Sequence, residues 1–442
     1  MARPVILTIA FFLFITFGST GQTPDQYRQD FIALKTTLEK SYPSLYRFKD
    51  KRQIDRFFDS CYRAIDQRTT PESFYSTIKF VISSLGDGHM SCSPSPALLK
   101  LFQEQWKYFP LPLVFLNDRV YTICDNKQIP KGAEILSISD VPVTAIVKKL
   151  YRYIGSDGRN ETGKNYTLNS AFWFNYRLVY GDQQLFPVTY KRPDGKIDKT
   201  IVYPALRSSI TCSFYIPPVK DRPLTLSYVA RDVALLTIAT FGNREITAAK
   251  MDYSAFLDSA FSSIKSKNIH NLIIDLRDNG GGADVYGAYL YSYLTDKPFR
   301  YYAELVTSAK KLTGADHPNL NVQQPNAGNY NGRVFFLING QSFSATAEFC
   351  SVARSNNRGL FIGEETGGMY DGNTSGGSVR ALLPNTQISV SIPSTRYTMA
   401  VKKINKWDRG IIPDHIVIPS VNDIIQGNDV QLKYAVKMAN GK

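Results

Sequence analysis

A serine between a predicted strand and a predicted helix is the group in this sequence with the clearest potential for covalent chemistry. Ser344 lies in the segment Ser342–Glu348, after the apolar run Val334–Ile338 and before a run with helical periodicity. At the N-terminus of a helix, the positive end of the helix dipole favours a developing alkoxide. The same position also suits an ordinary serine that caps the helix. The local sequence therefore leaves two alternatives, a nucleophile and a cap.

A glycine-rich turn precedes this serine by one predicted β-α unit. The turn is Arg277–Gly282, with the sequence RDNGGG, and it follows the apolar strand Leu272–Leu276. Glycines let backbone N–H groups approach a ligand closely. Val285 stands where a dinucleotide-binding motif needs Gly or Ala, and the turn lacks the Lys of a phosphate-binding loop. The turn therefore favours an oxyanion hole, with a plain tight turn as the alternative.

A general base for the serine must come from the four histidines of the chain. His89 follows Gly86, Asp87 and Gly88, which end a predicted helix and can bend the imidazole into a cleft. The other three histidines lie in polar turns or beside a predicted strand: His270, His317 and His415. We therefore predict His89 as the base, with a structural surface histidine as the alternative.

Residues 1–21 predict export. Arg3 is followed by an apolar run from Val5 to Phe17 and then by small residues, which is typical of a secretory signal peptide. The apolar run is too short to cross a bilayer as a helix. We therefore expect a periplasmic or extracellular protein that is not stably inserted in a membrane.

The composition indicates a folded globular protein, because 43% of the residues are hydrophobic and only 20% are charged. The net charge is +14, but the basic residues are scattered, so a solvated basic surface is favoured over nucleic-acid binding. The five cysteines lack the spacing of a zinc site, and we predict mostly buried thiols with one disulfide possible. No metal site and no cofactor are predicted.

Periodicity divides the chain after the signal peptide into three parts. Residues 22–105 are predicted to be helical, with Thr23 and Thr70 as caps before prolines, and residues 106–205 alternate polar and apolar residues as strands do. Residues 206–442 alternate apolar strands with helices, which predicts an α+β or α/β core with a covered sheet. The polar segment Tyr153–Asn169 is predicted to be a mobile loop.

These features together resemble the tail-specific, or C-terminal-processing, protease family of serine peptidases, including its tricorn-like branch. The resemblance covers most of the chain after residue 21, and its motifs occur in the family's order: Lys131–Ile138, Leu272–Gly282, Ser342–Glu348, Ile362–Gly368 and Gly410–Asp414. It implies a ClpP/crotonase-like β-α-β core at residues 206–442, which carries catalysis. It also implies a PDZ-like module at residues 106–205 and a peptide or protein substrate.

The resemblance also implies roles for single residues. Ser344 is the expected nucleophile, and the backbone N–H groups of Ala345 and Gly281 are the expected oxyanion donors. The segment after Gly363 lacks the Lys of the family's Ser-Lys branch, so His89 is the expected base, as in tricorn-like members.

Three acidic residues are assigned by the same resemblance. Asp408 lies near the position of a tricorn-like Glu and is expected to orient His89, with Glu365 as the alternative. Glu348 is expected to be structural. The predicted function is an exported serine peptidase; a catalytically inactive binding protein on the same fold and an esterase are the alternatives.

Overall fold

The computed structural model describes residues 22–116, 118–125, 128–210 and 222–441. The predicted signal peptide and Cys212 lie outside these ranges. Within them, no helix combines the length and the apolar character that crossing a membrane requires. Cys124 is disulfide-bonded, while Cys61, Cys92 and Cys350 are free thiols.

The N-terminal part is helical, as predicted. Its elements are α1 Pro24–Ser41, α2 Lys51–Arg63, α3 Pro71–Ser83, the short strand β1 Ser91–Ser93, and α4 Pro96–Glu104. The hydroxyls of Thr23 and Thr70 cap α1 and α3, each just before a proline at the first helical position. Because α3 ends at Ser83, the glycines that follow place His89 on a bend.

The middle part contains an antiparallel sheet packed against two helices. Its elements are β2 Lys107–Tyr108, β3 Leu113–Leu116, β4 Arg119–Thr122, β5 Glu134–Ile138, β6 Val141–Pro142, α5 Val143–Leu150, α6 Thr162–Tyr180, β7 Phe186–Lys191, β8 Ile197–Val202 and β9 Ala205–Leu206. The sheet has the order β3-β4-β5-β7-β8, with β6 paired to β5. The strands lie close to where the alternation predicts them, and the PDZ-like character of this part stays a prediction.

The loop predicted at residues 153–169 is wrong in its second half, because α6 begins at Thr162. The first half, residues 154–161, is partly buried. Asp157 and Asn160 are buried, and the Asn160 amide donates a hydrogen bond to the Thr366 carbonyl at 2.7 Å. The segment therefore joins the middle part to the C-terminal part.

The C-terminal part contains a mostly parallel sheet. Its elements are β10 Leu224–Ala230, β11 Val233–Ile238, α7 Asn243–Ala248, α8 Tyr253–Ser266, β12 Asn271–Asp275, α9 Asp284–Ser292, β13 Phe299–Arg300, β14 Tyr302–Thr307, β15 Val322–Gln323, β16 Arg333–Ile338, α10 Ala345–Ser355, β17 Leu360–Gly363, β18 Thr374–Leu382, β19 Ser389–Met399, β20 His415–Ile416, α11 Val421–Gln426 and α12 Val430–Ala439. The helix predicted from residue 245 to 265 is divided into α7 and α8 at Lys250, whose φ is +55°.

The order of the parallel sheet brings the two predicted catalytic turns together. The strand order is β10-β11-β12-β16-β17-β20, and β12 and β16 are parallel neighbours. The glycine-rich turn follows β12 and the serine turn follows β16. Because the carboxyl ends of parallel neighbours lie at the same sheet edge, Gly281 and Ser344 meet there.

A second sheet ties the N-terminal helices to this core. Strand β1 pairs with β19, with Ser91 opposite Ser391, and β19 also pairs with β14 and β18. Strand β1 begins two residues after His89. The pairing therefore fixes the bend that carries His89 against the core.

Candidate active site

Ser344 has a strained backbone and a hydroxyl that does not cap its helix. It occupies the N-cap position of α10 with φ +55° and ψ −130°, a conformation that is uncommon for a residue other than glycine. Its side chain makes no capping hydrogen bond. The neighbouring Ser342 is structural, since its hydroxyl donates to the Leu276 carbonyl at 2.8 Å. Of the two alternatives for Ser344, the geometry favours the nucleophile.

The glycine-rich turn contacts this serine through Gly281. A Cβ added to Gly281 would lie 2.7 Å from Ser344 Cβ and 3.0 Å from Ala345 N, and φ of Gly281 is +98°. Only glycine can therefore hold the turn this close. The N–H of Ala345, at the first position of α10, has no hydrogen-bond partner among the described residues, whereas the Gly281 N–H donates to Asn279 Oδ1 at 3.0 Å.

The imidazole of His89 lies beside the serine turn. Its ring stacks on Phe343, the residue before Ser344, with centroids 4.4 Å apart and planes at 28°. A Cβ added to Gly88 would be 2.9 Å from the Phe343 ring, so the glycine before His89 permits this contact. Neither His89 nitrogen has a hydrogen-bond partner in the described part of the chain. The Ser344–His89 hydrogen bond is thus not formed in this structure.

Two buried carboxylates face the imidazole. His89 Nδ1 lies 3.8 Å from Asp157 Oδ1 and 3.9 Å from Asp87 Oδ1. Asp157 Oδ1 accepts the Gly88 N–H at 2.8 Å, and Asp87 accepts the His89 N–H at 2.7 Å and the Tyr42 hydroxyl at 2.8 Å. The bend carrying His89 is therefore held from both sides by carboxylate oxygens.

These carboxylates also set the protonation of the site. Burial lowers the pKa of His89, but the nearby Asp157 and Asp87 outweigh burial, and the net shift is upward. Burial, with repulsion from Asp157, raises the pKa of Asp87 to about 6. The three groups lie within 4.8 Å of one another and are close enough to ligate a cation. Both Oδ1 atoms, however, already accept backbone N–H groups.

The structure does not bring Asp408 or Glu365 to His89. The Asp408 carboxylate pairs with the Arg159 guanidinium, with Oδ1 2.8 Å from Nη2. Glu365 pairs with Arg409 and accepts the Gly410 N–H at 2.8 Å. Each carboxylate is paired with an arginine, whereas Asp157 and Asp87 are the carboxylates within 4 Å of the imidazole among the described residues. The orienting role of Asp408 or Glu365 stays a prediction.

Glu348 belongs to a buried polar cluster behind the serine turn. It is 2% exposed, and burial together with Asp284 raises its pKa to about 7. Its Oε2 lies 2.7 Å from the Tyr302 hydroxyl and its Oε1 2.7 Å from the Asn373 amide nitrogen. His317 Nε2 is 3.1 Å from Asp284 Oδ2 in the same cluster. These contacts fit the structural role expected for Glu348.

The remaining histidines have other contacts. His270 Nδ1 lies 3.0 Å from Asp232 Oδ1, and His415 Nδ1 lies 3.1 Å from the Tyr434 hydroxyl. His317 Nε2 is held by Asp284, as described above. Among the four histidines, His89 is the one that contacts the residue before Ser344.

A cavity of about 340 Å³ opens beside these groups. Glycines, small hydroxyl residues, one amide side chain and two aromatic rings line it: Gly88, Gly155, Ser156, Gly163, Tyr166, Thr167, Ser170, Gly280, Gly340, Gln341, Phe343 and Gly367. None of these side chains carries a formal charge. The exposed backbone suits an extended peptide, whose N–H and C=O groups need partners.

The family model of peptidase family S41 matches residues 232–417. The chain therefore contains an S41 peptidase domain. The S41 domain contains the glycine-rich turn and the serine turn, while His89 and Asp157 lie before it in the chain. This match confirms the predicted resemblance to the tail-specific protease family and the predicted class, serine-type peptidases.

Solved structures are similar to nearly the whole chain. Mature CPAF in complex with lactacystin shares 16% identity at a TM-score of 0.65, with 94% of this chain and 98% of that chain covered. A protein of Parabacteroides merdae shares 17% identity at a TM-score of 0.51, with 95% and 97% covered. At these identities the likeness shows a shared fold. No significant match was found among curated proteins.

Sequence reasoning missed Asp157, the acid that lies nearest to the predicted base. Asp157 lies in the sequence Gly155–Gly158, a polar segment without periodicity that was predicted to be a loop. A signal existed in its glycines, since glycine on both sides of a single acid permits close approach of backbone. Gly155 and Gly158 indeed approach the backbone of Asp87 and of Asp408.

Proposed function

We propose that this chain is an exported serine peptidase that cleaves peptide bonds through an acyl-enzyme on Ser344, with His89 as the general base. The observation that carries the proposal is the His89 imidazole stacked at 4.4 Å on Phe343, directly before the strained Ser344. Neither imidazole nitrogen has a hydrogen-bond partner among the residues that the structure describes, so one of them can take the serine proton. Export rests on the signal-like residues 1–21.

The orientation of the imidazole suggests a separate role for each of its two nitrogens. Nδ1 faces Asp157 and Asp87, which leaves Nε2 for Ser344. In the proposed reaction, Nε2 accepts the hydroxyl proton as Ser344 Oγ attacks the peptide carbonyl, and then donates it to the leaving amine. Water attacks the acyl-enzyme with the same base. Asp157 acts as a positioning residue, because its charge favours the imidazolium that forms in each step.

Stabilisation of the tetrahedral oxyanion is assigned to two backbone N–H groups. The Ala345 N–H, which has no partner within the described ranges, is the first donor, and it also lies at the positive end of α10. Gly281 supplies the second, which it shares with Asn279 Oδ1. Loss of one such donor typically costs about 2.7 to 4 kcal/mol of transition-state stabilisation.

The proposal is tested by hydrolysis of a proteome-derived peptide mixture, followed by mass spectrometry. We expect wild-type protein to cleave peptides, and Ser344→Ala and His89→Gln to reduce the rate by at least ~10³-fold while the circular dichroism spectrum is unchanged. His270→Gln is the matched control, because His270 is exposed and pairs with Asp232 rather than with a residue of the candidate site.

Two outcomes would overturn the assignment. Cleavage that persists in His89→Gln would remove His89 from the role of base. Turnover of small esters with no cleavage of any peptide would indicate an esterase instead of a peptidase.

A further inference from the structure

A second cavity is larger than the one beside Ser344. Its volume is about 560 Å³. We call it the basic cavity, because four of its lining residues are cationic and one is acidic: Tyr46, Arg47, Tyr370, Asp371, Arg396, Thr398, Lys402, Lys403, Ile404 and Trp407. A cavity with such a charge excess attracts anionic groups.

The charge excess is only partly neutralised within the protein. Arg47 lies 3.2 Å from Asp371, and Arg396 lies 3.0 Å from Glu304. The buried Nε of Arg396 nevertheless has no hydrogen-bond partner among the described residues. Lys402 and Lys403 are exposed, and no ion pair of either occurs in the described part of the chain. Lys402 and Lys403 thus have donors left for a ligand, and the Arg396 guanidinium adds positive charge to the lining of the cavity.

Aromatic rings make this cavity different from an ordinary basic surface. Trp407 stacks on Phe48 with centroids 5.8 Å apart and planes at 5°, and the Arg47 guanidinium lies 5.9 Å from the Trp407 ring. Tyr46 and Trp407 are 45% and 36% exposed. Rings of this kind cover the apolar parts of a peptide while the cations bind its carboxylates.

A short segment connects the basic cavity to the active site. Gly367 lines the cavity beside Ser344 and His89, whereas Tyr370 and Asp371 line the basic cavity. Four residues of chain span at most about 14 Å. The linings of the two cavities are therefore separated by no more than the reach of four or five residues of an extended peptide.

We propose that the basic cavity binds an acidic segment of the peptide substrate, about four or five residues from the bond that is cleaved. The inference rests on the proposed function, since it assigns a substrate class to the same site. The carboxylates of the segment pair with Lys402 and Lys403, and the charge of Arg396 favours their binding. The peptidase then prefers substrates with Asp or Glu clustered at that distance.

The test compares two peptides that differ only in charge. A peptide found to be cleaved is extended with three Glu or with three Gln, four residues from the cleaved bond, on each side in turn. We expect kcat/KM to be at least about fivefold higher for one Glu peptide than for its Gln counterpart, and the difference to vanish in Lys402→Glu/Lys403→Glu. The double variant Lys433→Glu/Lys437→Glu, on the exposed side of α12, is the matched control and keeps the preference.

Binding is measured separately from cleavage in Ser344→Ala. Anisotropy of a fluorescein-labelled Glu peptide should report binding that weakens at least fivefold in Lys402→Glu/Lys403→Glu and at high salt. Binding without any cleavage by wild-type protein would contradict the proposed function and retain the acidic-peptide site. Equal kcat/KM for the Glu and Gln peptides, or a preference unchanged in the double variant, would overturn the inference and leave the proposed function intact.

Discussion

At the scale of single residues, His89 is notable for the charges around it. A base must be neutral to accept a proton, yet Asp157 and Asp87 stabilise the protonated imidazole and raise its pKa. The acidic limb of the activity profile should therefore lie above the pH expected for an ordinary histidine. The rate should rise with pH through the pKa of His89 in the folded protein.

The variant Asp157→Asn separates the effect of the Asp157 charge on His89 from the hydrogen bond that Asp157 accepts from the Gly88 N–H. Asparagine keeps an acceptor for the Gly88 N–H but removes the negative charge, so the pKa of His89 falls and the acidic limb of kcat/KM moves to lower pH. We also expect kcat/KM at its plateau to fall by about 10²-fold or more, because the imidazolium loses its partner. A pH profile of peptide hydrolysis measures both effects.

Asp408→Asn is the matched control for this prediction. Its carboxylate pairs with Arg159, whose side chain is 71% exposed, so we expect a stability loss below about 1 kcal/mol and no movement of the acidic limb. A shift in Asp408→Asn with none in Asp157→Asn would support the assignment made from sequence.

The residue scale also shows what could be predicted from sequence. Ser344 and His89 stand beside glycines and at element boundaries, which are visible as breaks in periodicity. The orienting acid could not be found in this way, because Asp157, Asp408 and Glu365 all lie in irregular polar segments. Which of them meets the imidazole depends on packing between distant parts of the chain.

At the scale of elements, the turn after β12 must lie against the turn after β16. Gly281 makes this possible, since φ is +98° and a Cβ there would lie 2.7 Å from Ser344 Cβ and 2.8 Å from the Phe343 carbonyl oxygen. The contact is between backbone segments, and a flexible side chain cannot relieve it. The two turns can therefore lie this close together only because residue 281 is a glycine.

Gly281→Ala should separate the two turns and disrupt the oxyanion hole. We expect kcat to fall by about 10²-fold or more, as for loss of one oxyanion donor, and stability to fall by about 1 to 3 kcal/mol from backbone strain. Peptide hydrolysis and urea unfolding measure the two losses.

Gly195→Ala is the matched control, because it introduces the same kind of backbone strain without a steric clash. Gly195 has φ +90° in the turn between β7 and β8, and an added Cβ would meet nothing within 4 Å. We expect a similar loss of stability with unchanged kcat. If Gly281→Ala behaves like Gly195→Ala, the turn is only a tight turn, which was the alternative at the outset.

At the scale of the whole molecule, the candidate site forms where three separate parts of the chain meet. The N-terminal part supplies His89, the segment before α6 supplies Asp157, and the C-terminal sheet supplies Ser344. Strand β1 pairs with β19, and Asn160 binds the Thr366 carbonyl, so both junctions are hydrogen-bonded. Periodicity predicted the elements of each part, but these long-range contacts leave no periodic trace in the sequence.

The central claim is that Ser344 is a nucleophile activated by His89, and covalent labelling tests it most directly. A fluorophosphonate reacts with an activated serine and adds a fixed mass, which intact-protein mass spectrometry resolves. We predict one adduct on the folded wild-type protein, mapped to Ser344 by peptide analysis, no adduct on Ser344→Ala, and strongly slowed labelling of His89→Gln. An unlabelled wild-type protein, or an adduct that persists in Ser344→Ala, would contradict the account.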